Sequence, residues 1–119
     1  MNDDWHIWLL LVARVMLAVG CGAVIGADRE IRGMSAGIRT YALVSVGACL
    51  FVMITALEGS GDATARVIQG VAAGIGFLGA GQIVRVSSLR RGRANVKGLT
   101  SASATWVAAA LGATSGSGL

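Results

Sequence analysis

Charge is what this chain has least of. Only 13% of its 119 residues are Asp, Glu, Lys or Arg, against 55% hydrophobic, whereas a soluble domain carries about 25% charged residues. That deficit argues against a soluble enzyme or binding module and for a membrane protein. Histidine is nearly missing too. His6 stands between Trp5 and Trp8 at the edge of an apolar run, where an interfacial residue is the simpler reading than a metal ligand. Cys21 and Cys49 fall inside apolar runs, without C-x-x-C spacing and without a nearby histidine, and read as small packing residues that leave the redox compartment undetermined. Proline is absent. So are a G-x-x-x-x-G-K-[ST] phosphate loop and an Asp-Lys-Thr-Gly phosphorylation site, which leaves ATP hydrolysis no residues to run on. No nucleophile with a base or metal cluster can be assembled, so an enzyme is the least expected class, with no catalytic residue and no cofactor to name.

Glycine, by contrast, is plentiful at 18 residues. The densest stretch is Gly70 to Gly81, set in the apolar run from Val67 to Val84. Each glycine costs a soluble helix roughly 1 kcal/mol relative to alanine, so an apolar segment that keeps them needs a reason, and close helix packing in a bilayer supplies one. Gly70 with Gly74, and Ala72 with Gly76 and Ala80, recur every fourth residue and form flat strips. Gly74, Gly76 and Gly79 also spell G-x-G-x-x-G, but no strand precedes them and no phosphate lies mid-bilayer, so the dinucleotide reading is rejected.

Taken in order, a short acidic tail leads into Trp5 to Ala27, long enough at about 1.5 Å per residue to cross a hydrocarbon core of about 30 Å. It lacks a basic leader and exceeds a signal peptide's apolar core, and Trp5 and Trp8 suit an interface anchor. Ala18, Gly22 and Gly26 make a small-residue strip in it, expected to meet the glycine strips of the third span. Arg14 lies about 9 Å in from Trp8 by helical rise. A guanidinium there must snorkel outward, line a wet cavity or meet a carboxylate. A basic loop, residues 28–39, precedes a second span at 40–57. An acidic loop, residues 58–66, precedes the third span at 67–84, and a second basic loop covers 85–97. A fourth, weakly apolar span at 99–119 carries the strip Ala104, Ala108, Gly112, Gly116. The two basic loops hold eight of the ten Lys and Arg. The expectation is one all-α domain of about four transmembrane helices packed through glycine-rich faces, basic loops cytoplasmic and N-terminus periplasmic. The end at Leu119, without a basic or aromatic anchor, suggests a truncated or shortened chain.

At this point the residues resemble the N-terminal membrane domain of the MgtC/SapB family. The matching blocks are Ile25-Gly26-Ala27-Asp28-Arg29-Glu30, Ala36-Gly37-Ile38-Arg39-Thr40 with Ala42-Leu43-Val44, Gly74 to Gly81, and Asn95-Val96-Lys97-Gly98-Leu99-Thr100 running to Trp106. Where Asp28 and Lys97 stand the family usually has Glu and Arg, and its members usually continue into a fifth span and often a soluble domain. The resemblance implies a bacterial inner-membrane protein tied to growth in low magnesium and, in pathogens, to virulence through survival inside macrophages. It also implies a regulator that binds other membrane proteins, the F-type ATP synthase among them.

The candidate site is the polar cluster at the cytoplasmic span ends: Asp28, Arg29, Arg39, Thr40, Asn95, Lys97 and Thr100, with Asp28, Arg39 and Asn95 expected to meet. Asp28 and Arg32 are four apart and pair if the first helix extends that far. Arg29 and Arg32 read equally well as topology anchors at a helix C-terminus. Asp28 suits neither orientation nor that helix end, so ion pairing or ion binding explains it better. Magnesium finds a thin site there, a lone Asp and Glu30 crowded by arginines, whereas the same arginines suit an anion or lipid phosphate. Candidate packing glycines are Gly22, Gly26, Gly70, Gly74, Gly76, Gly79 and Gly81. Two functions stay open: a membrane regulatory or interaction protein whose partners are lipids, other membrane proteins or a second copy, and an oligomeric ion or small-solute transporter. Nucleic acid is not an expected partner, because the basic residues follow topology instead of forming one face.

Overall fold

The computed structural model describes residues 4–88 and 97–118. The described residues form four helices: α1 (Asp4–Ile31), α2 (Ile38–Glu58), α3 (Gly61–Ser88) and α4 (Lys97–Ser117). The chain is thus an all-α membrane protein. By length and composition α1, α2 and α3 are each able to cross a bilayer. α4, with seven serines and threonines among its 21 residues, is outside that group.

The helix ends follow from local chemistry. α1 continues past the expected span end at Ala27 to Ile31, so Asp28, Arg29 and Glu30 lie on its last turn and not in a loop. It stops at Gly33, whose φ of 77° reverses the chain. There the Gly33 N–H donates to the Glu30 carbonyl at 3.1 Å and the Met34 N–H to the Arg29 carbonyl at 3.0 Å, a Schellman ending. α2 closes on Gly59 at φ 75°. Ser60 then caps α3, its Oγ accepting from the Ala63 N–H at 3.2 Å. The expected acidic loop therefore shrinks to Gly59 and Ser60, with Asp62 in the first turn of α3, where a carboxylate complements the helix dipole. Gly74, Gly76 and Gly79 sit within this continuous helix, consistent with rejecting a phosphate loop.

Packing is carried by small residues against backbone. Ala18, Gly22 and Gly26 are all buried. A Cβ at Gly22 would collide with the Tyr41 carbonyl, and one at Gly26 with Gly37 and Ile38. The α1 strip therefore lies on α2. Gly112 and Gly116 of α4 press in the same way on the Ser45 and Cys49 carbonyls of α2. Ala48, Val52, Ala109 and Ala113 form the core between α2 and α4, with Val67, Val71 and Ile75 of α3 packed against it.

The expected seam between the first and third spans is not formed: among the described residues α1 touches α2 and α4 but not α3. α3 presents Val67, Val71, Ile75 and Gly79 inward, and Gly79 meets Ala102 of α4. A Cβ placed on Gly70, Gly74, Gly76 or Gly81 would meet nothing within 4 Å among the described residues, so these strips stand on the outside of the unit. The reason is rotational. At about 100° per residue only one four-residue row of α3 can face α4, and the branched row takes it because it has more apolar surface to bury.

Candidate functional site

Successive helices alternate in direction, which leaves α2 and α4 parallel. Arg29 of α1 meets Ser101 of α4, while Arg14 meets Gly116, so α1 and α4 are antiparallel. The turn between α1 and α2 and the first turn of α4 consequently share one end, the basic end. Among the described residues Arg29 is the best-buried charge there, at 6% exposure. Its Nη2 donates to Ser101 Oγ at 2.7 Å, and its Nε is buried with no partner among the described residues. Tyr41, fully buried on α2, donates its hydroxyl to the Ser101 carbonyl at 3.3 Å. Three helices thus converge on Ser101, a residue in the second turn of α4. Burial and this directed bond give Arg29 a partner inside the unit, beyond its place at a helix C-terminus.

Asp28 takes a different partner from the one expected. Both of its carboxylate oxygens accept from Arg32 Nε at 3.2 Å, in an exposed i,i+4 pair. It forms no ion pair with Arg39, which is exposed at the start of α2 beside an exposed Thr40. The reason is geometric: once α1 extends to Ile31, Arg32 stands one turn from Asp28, and the short reach wins over a partner across the turn. Thr100 is exposed as well. Asn95 and the Lys97 side chain lie outside the described residues. Glu30 folds back, its carboxylate filling the space a Gly37 side chain would need at the start of α2.

At the other end Arg14 takes a backbone partner and, among the described residues, no carboxylate. Its Nη1 donates to the Gly116 carbonyl at 3.3 Å, and the guanidinium lies against Gly118. Ser115 Oγ returns a bond to the Arg14 carbonyl at 2.6 Å, and Cys49 Sγ approaches the same oxygen at 3.7 Å. The two ends of α4 are therefore each tied to an arginine of α1.

Sequence reasoning passed over Tyr41, Ser101 and Ser115. A signal existed for Tyr41: a lone phenol in an apolar span must find an acceptor. Ser101 and Ser115 are indistinguishable, in sequence, from five other hydroxyls of α4.

An apolar groove of 620 Å³ separates α2 from α3, with Leu43, Gly47 and Phe51 on one wall and Gly70, Gly74 and Leu78 on the other. Two strip glycines of the third span thus line an open groove. Among the described residues no group of three or more His, Cys, Asp and Glu stands together.

The model of the MgtC family matches residues 15–119. The protein SrpB of Synechococcus elongatus is 48% identical over 121 residues, covering 94% of this chain and 66% of that protein. The "putative magnesium transporter YhiD" of Escherichia coli K12 is 37% identical, covering 92% of this chain and 51% of its own length. The protein MgtC of Salmonella typhimurium is 38% identical, covering 90% of this chain and 43% of its own length. This chain therefore spans between about two fifths and two thirds of these relatives. No solved structure matches it. With a family match running through all four helices, from the residue after Arg14 to the last, the chain belongs to the MgtC family.

Proposed function

We propose that this chain is a regulatory or interaction protein of the bacterial inner membrane, tied to growth in low magnesium and, in a pathogen, to virulence. It acts by packing a partner's helix against its outer face. The observation that carries this reading is the α2–α3 groove, where Gly47, Gly70 and Gly74 leave room for backbone-to-backbone approach. Arg14 supports it too, since its guanidinium is engaged with the end of α4 and is not left to line a path. In this reading the basic end is cytoplasmic and the N-terminus periplasmic. Partners are lipids and other membrane proteins, the F-type ATP synthase by family resemblance, or a second copy of the chain. Catalysis and nucleic-acid binding are no part of it.

The printed name of the Escherichia coli relative favours a second reading, magnesium transport. Reconstitution separates the two. Protein that restores growth of a magnesium-limited strain is placed in liposomes with a trapped Mg²⁺ indicator. No flux above empty liposomes supports the regulator; saturable flux supports the transporter and removes the regulator reading.

A further inference from the structure

The basic end holds a cation that no described carboxylate neutralises. Arg29 is buried, it donates to a neutral hydroxyl, and its Nε points at no acceptor among the described residues. The carboxylates nearest it in sequence are engaged elsewhere. Asp28 is bound by Arg32 and Glu30 lies over Gly37. The other described acidic residues, Asp4, Glu58 and Asp62, belong to the opposite end, and the sequence of residues 84–97 contains none. The surroundings raise the cost further. Ser101 lies one turn inside the N-terminus of α4, so the guanidinium sits beside the positive end of a helix dipole, a position that suits an anion and disfavours a cation. A buried charge is ordinarily paired. An anion at this point would answer the guanidinium and complement the α4 dipole.

We propose that Arg29 and the first turns of α4, steadied by Ser101 and Tyr41, form a binding site for a phosphate group. Arginine's planar fork matches phosphate oxygens, and the α4 amides supply donors directed along the helix axis. The site lies at the membrane's basic edge, within reach of either of two sources of the same chemistry: the headgroup of an anionic phospholipid, or free phosphate. It does not depend on whether the chain regulates a partner or moves an ion.

The test is thermal unfolding of the full chain in nanodiscs, with two arms. In zwitterionic phosphatidylcholine discs, inorganic phosphate is titrated against chloride at constant ionic strength; in the second arm, phosphatidylglycerol replaces phosphatidylcholine without added phosphate. A saturable rise in Tm of about 2–4 °C in the first arm assigns the site to the free anion, and the same rise in the second assigns it to the lipid. The rise is expected to vanish in Arg29→Gln and to persist in Arg32→Gln, which removes an equal charge from the same end. Should Arg29→Gln not fold, Ser101→Ala takes its place, with a rise reduced at least twofold. Wild-type protein that shifts in neither arm overturns the proposal, and so does a shift that Arg29→Gln retains in full.

Discussion

Arg29 of α1 and Ser101 of α4, separated by 72 positions in sequence, are joined by a 2.7 Å hydrogen bond at the basic end of the helical unit. The bond does for that end what Arg14 and Gly116 do for the other. α4, the least apolar of the four helices expected to span, is held at both ends by arginines of α1.

Removing the hydroxyl at Ser101 leaves Arg29 Nη2 without its acceptor. Ser101→Ala is expected to destabilise the protein by about 1–3 kcal/mol, the cost of a buried donor left unmade. Urea unfolding in detergent measures it, and a change within error of zero would mean the bond contributes nothing.

Glycines of the strips divide into two groups by what stands over them. Gly112→Leu drives a side chain into the Ser45 backbone, costing several kcal/mol by overpacking, and abundance should fall sharply. Gly74→Leu and Gly76→Leu meet open space in the unit and should leave abundance unchanged. Gly74→Leu is also expected to lose growth rescue at normal protein level, since it fills the groove. Full rescue by Gly74→Leu would show that the groove takes no partner.

Arg14→Met deletes a charged donor from the end of α4. A loss of about 1–3 kcal/mol is expected, with Arg14→Lys recovering part of it because an ammonium is also a charged donor for the Gly116 carbonyl. Resistance to unfolding by sodium dodecyl sulfate is the readout, and equal losses in the two variants would mean that charge plays no part.

Asp28→Asn breaks an exposed ion pair, for which a stability change below about 0.5 kcal/mol is expected. Growth rescue in low magnesium should nevertheless fail with Asn and survive with Glu, because only Glu keeps the charge. Rescue by both variants would make Asp28 a bystander.

Topology is open to direct labelling. In a variant with Cys21 and Cys49 replaced by Ala, a cysteine at position 60 should react with an impermeant maleimide added outside the cell, and one at position 88 should not. Labelling of position 88 from outside would invert the orientation proposed for the chain.

Helix positions are legible in the sequence to within a few residues because hydropathy, glycine and small capping residues act locally. The differences have local causes too. The Asp28–Arg32 pair and the turn at Gly33 prolong α1, and Ser60 starts α3 early by capping it. Within the polar cluster, Asp28 and Arg29 stand out in sequence as chemically unusual, but their partners do not. Arg32 displaces Arg39 as the partner of Asp28 by being one turn away. Ser101 cannot be told from its neighbours, since a hydroxyl's value depends on which helix face points inward.

By itself the amino-acid sequence determined that this protein lives in a membrane, where its helices run and that they pack through small residues, because transfer free energy and helical period are properties of short segments. Which strip meets which helix is another matter. Three helices carry equivalent four-residue rows of Gly and Ala, and nothing local distinguishes a strip that meets Tyr41 from one that faces a groove. Tertiary packing decided it: α4 settled among the other three, α1 closed on α2, and the branched row of α3 took the inward face. The same packing buried Arg29, a charge whose sequence context at a helix end had equally allowed it to stay in water.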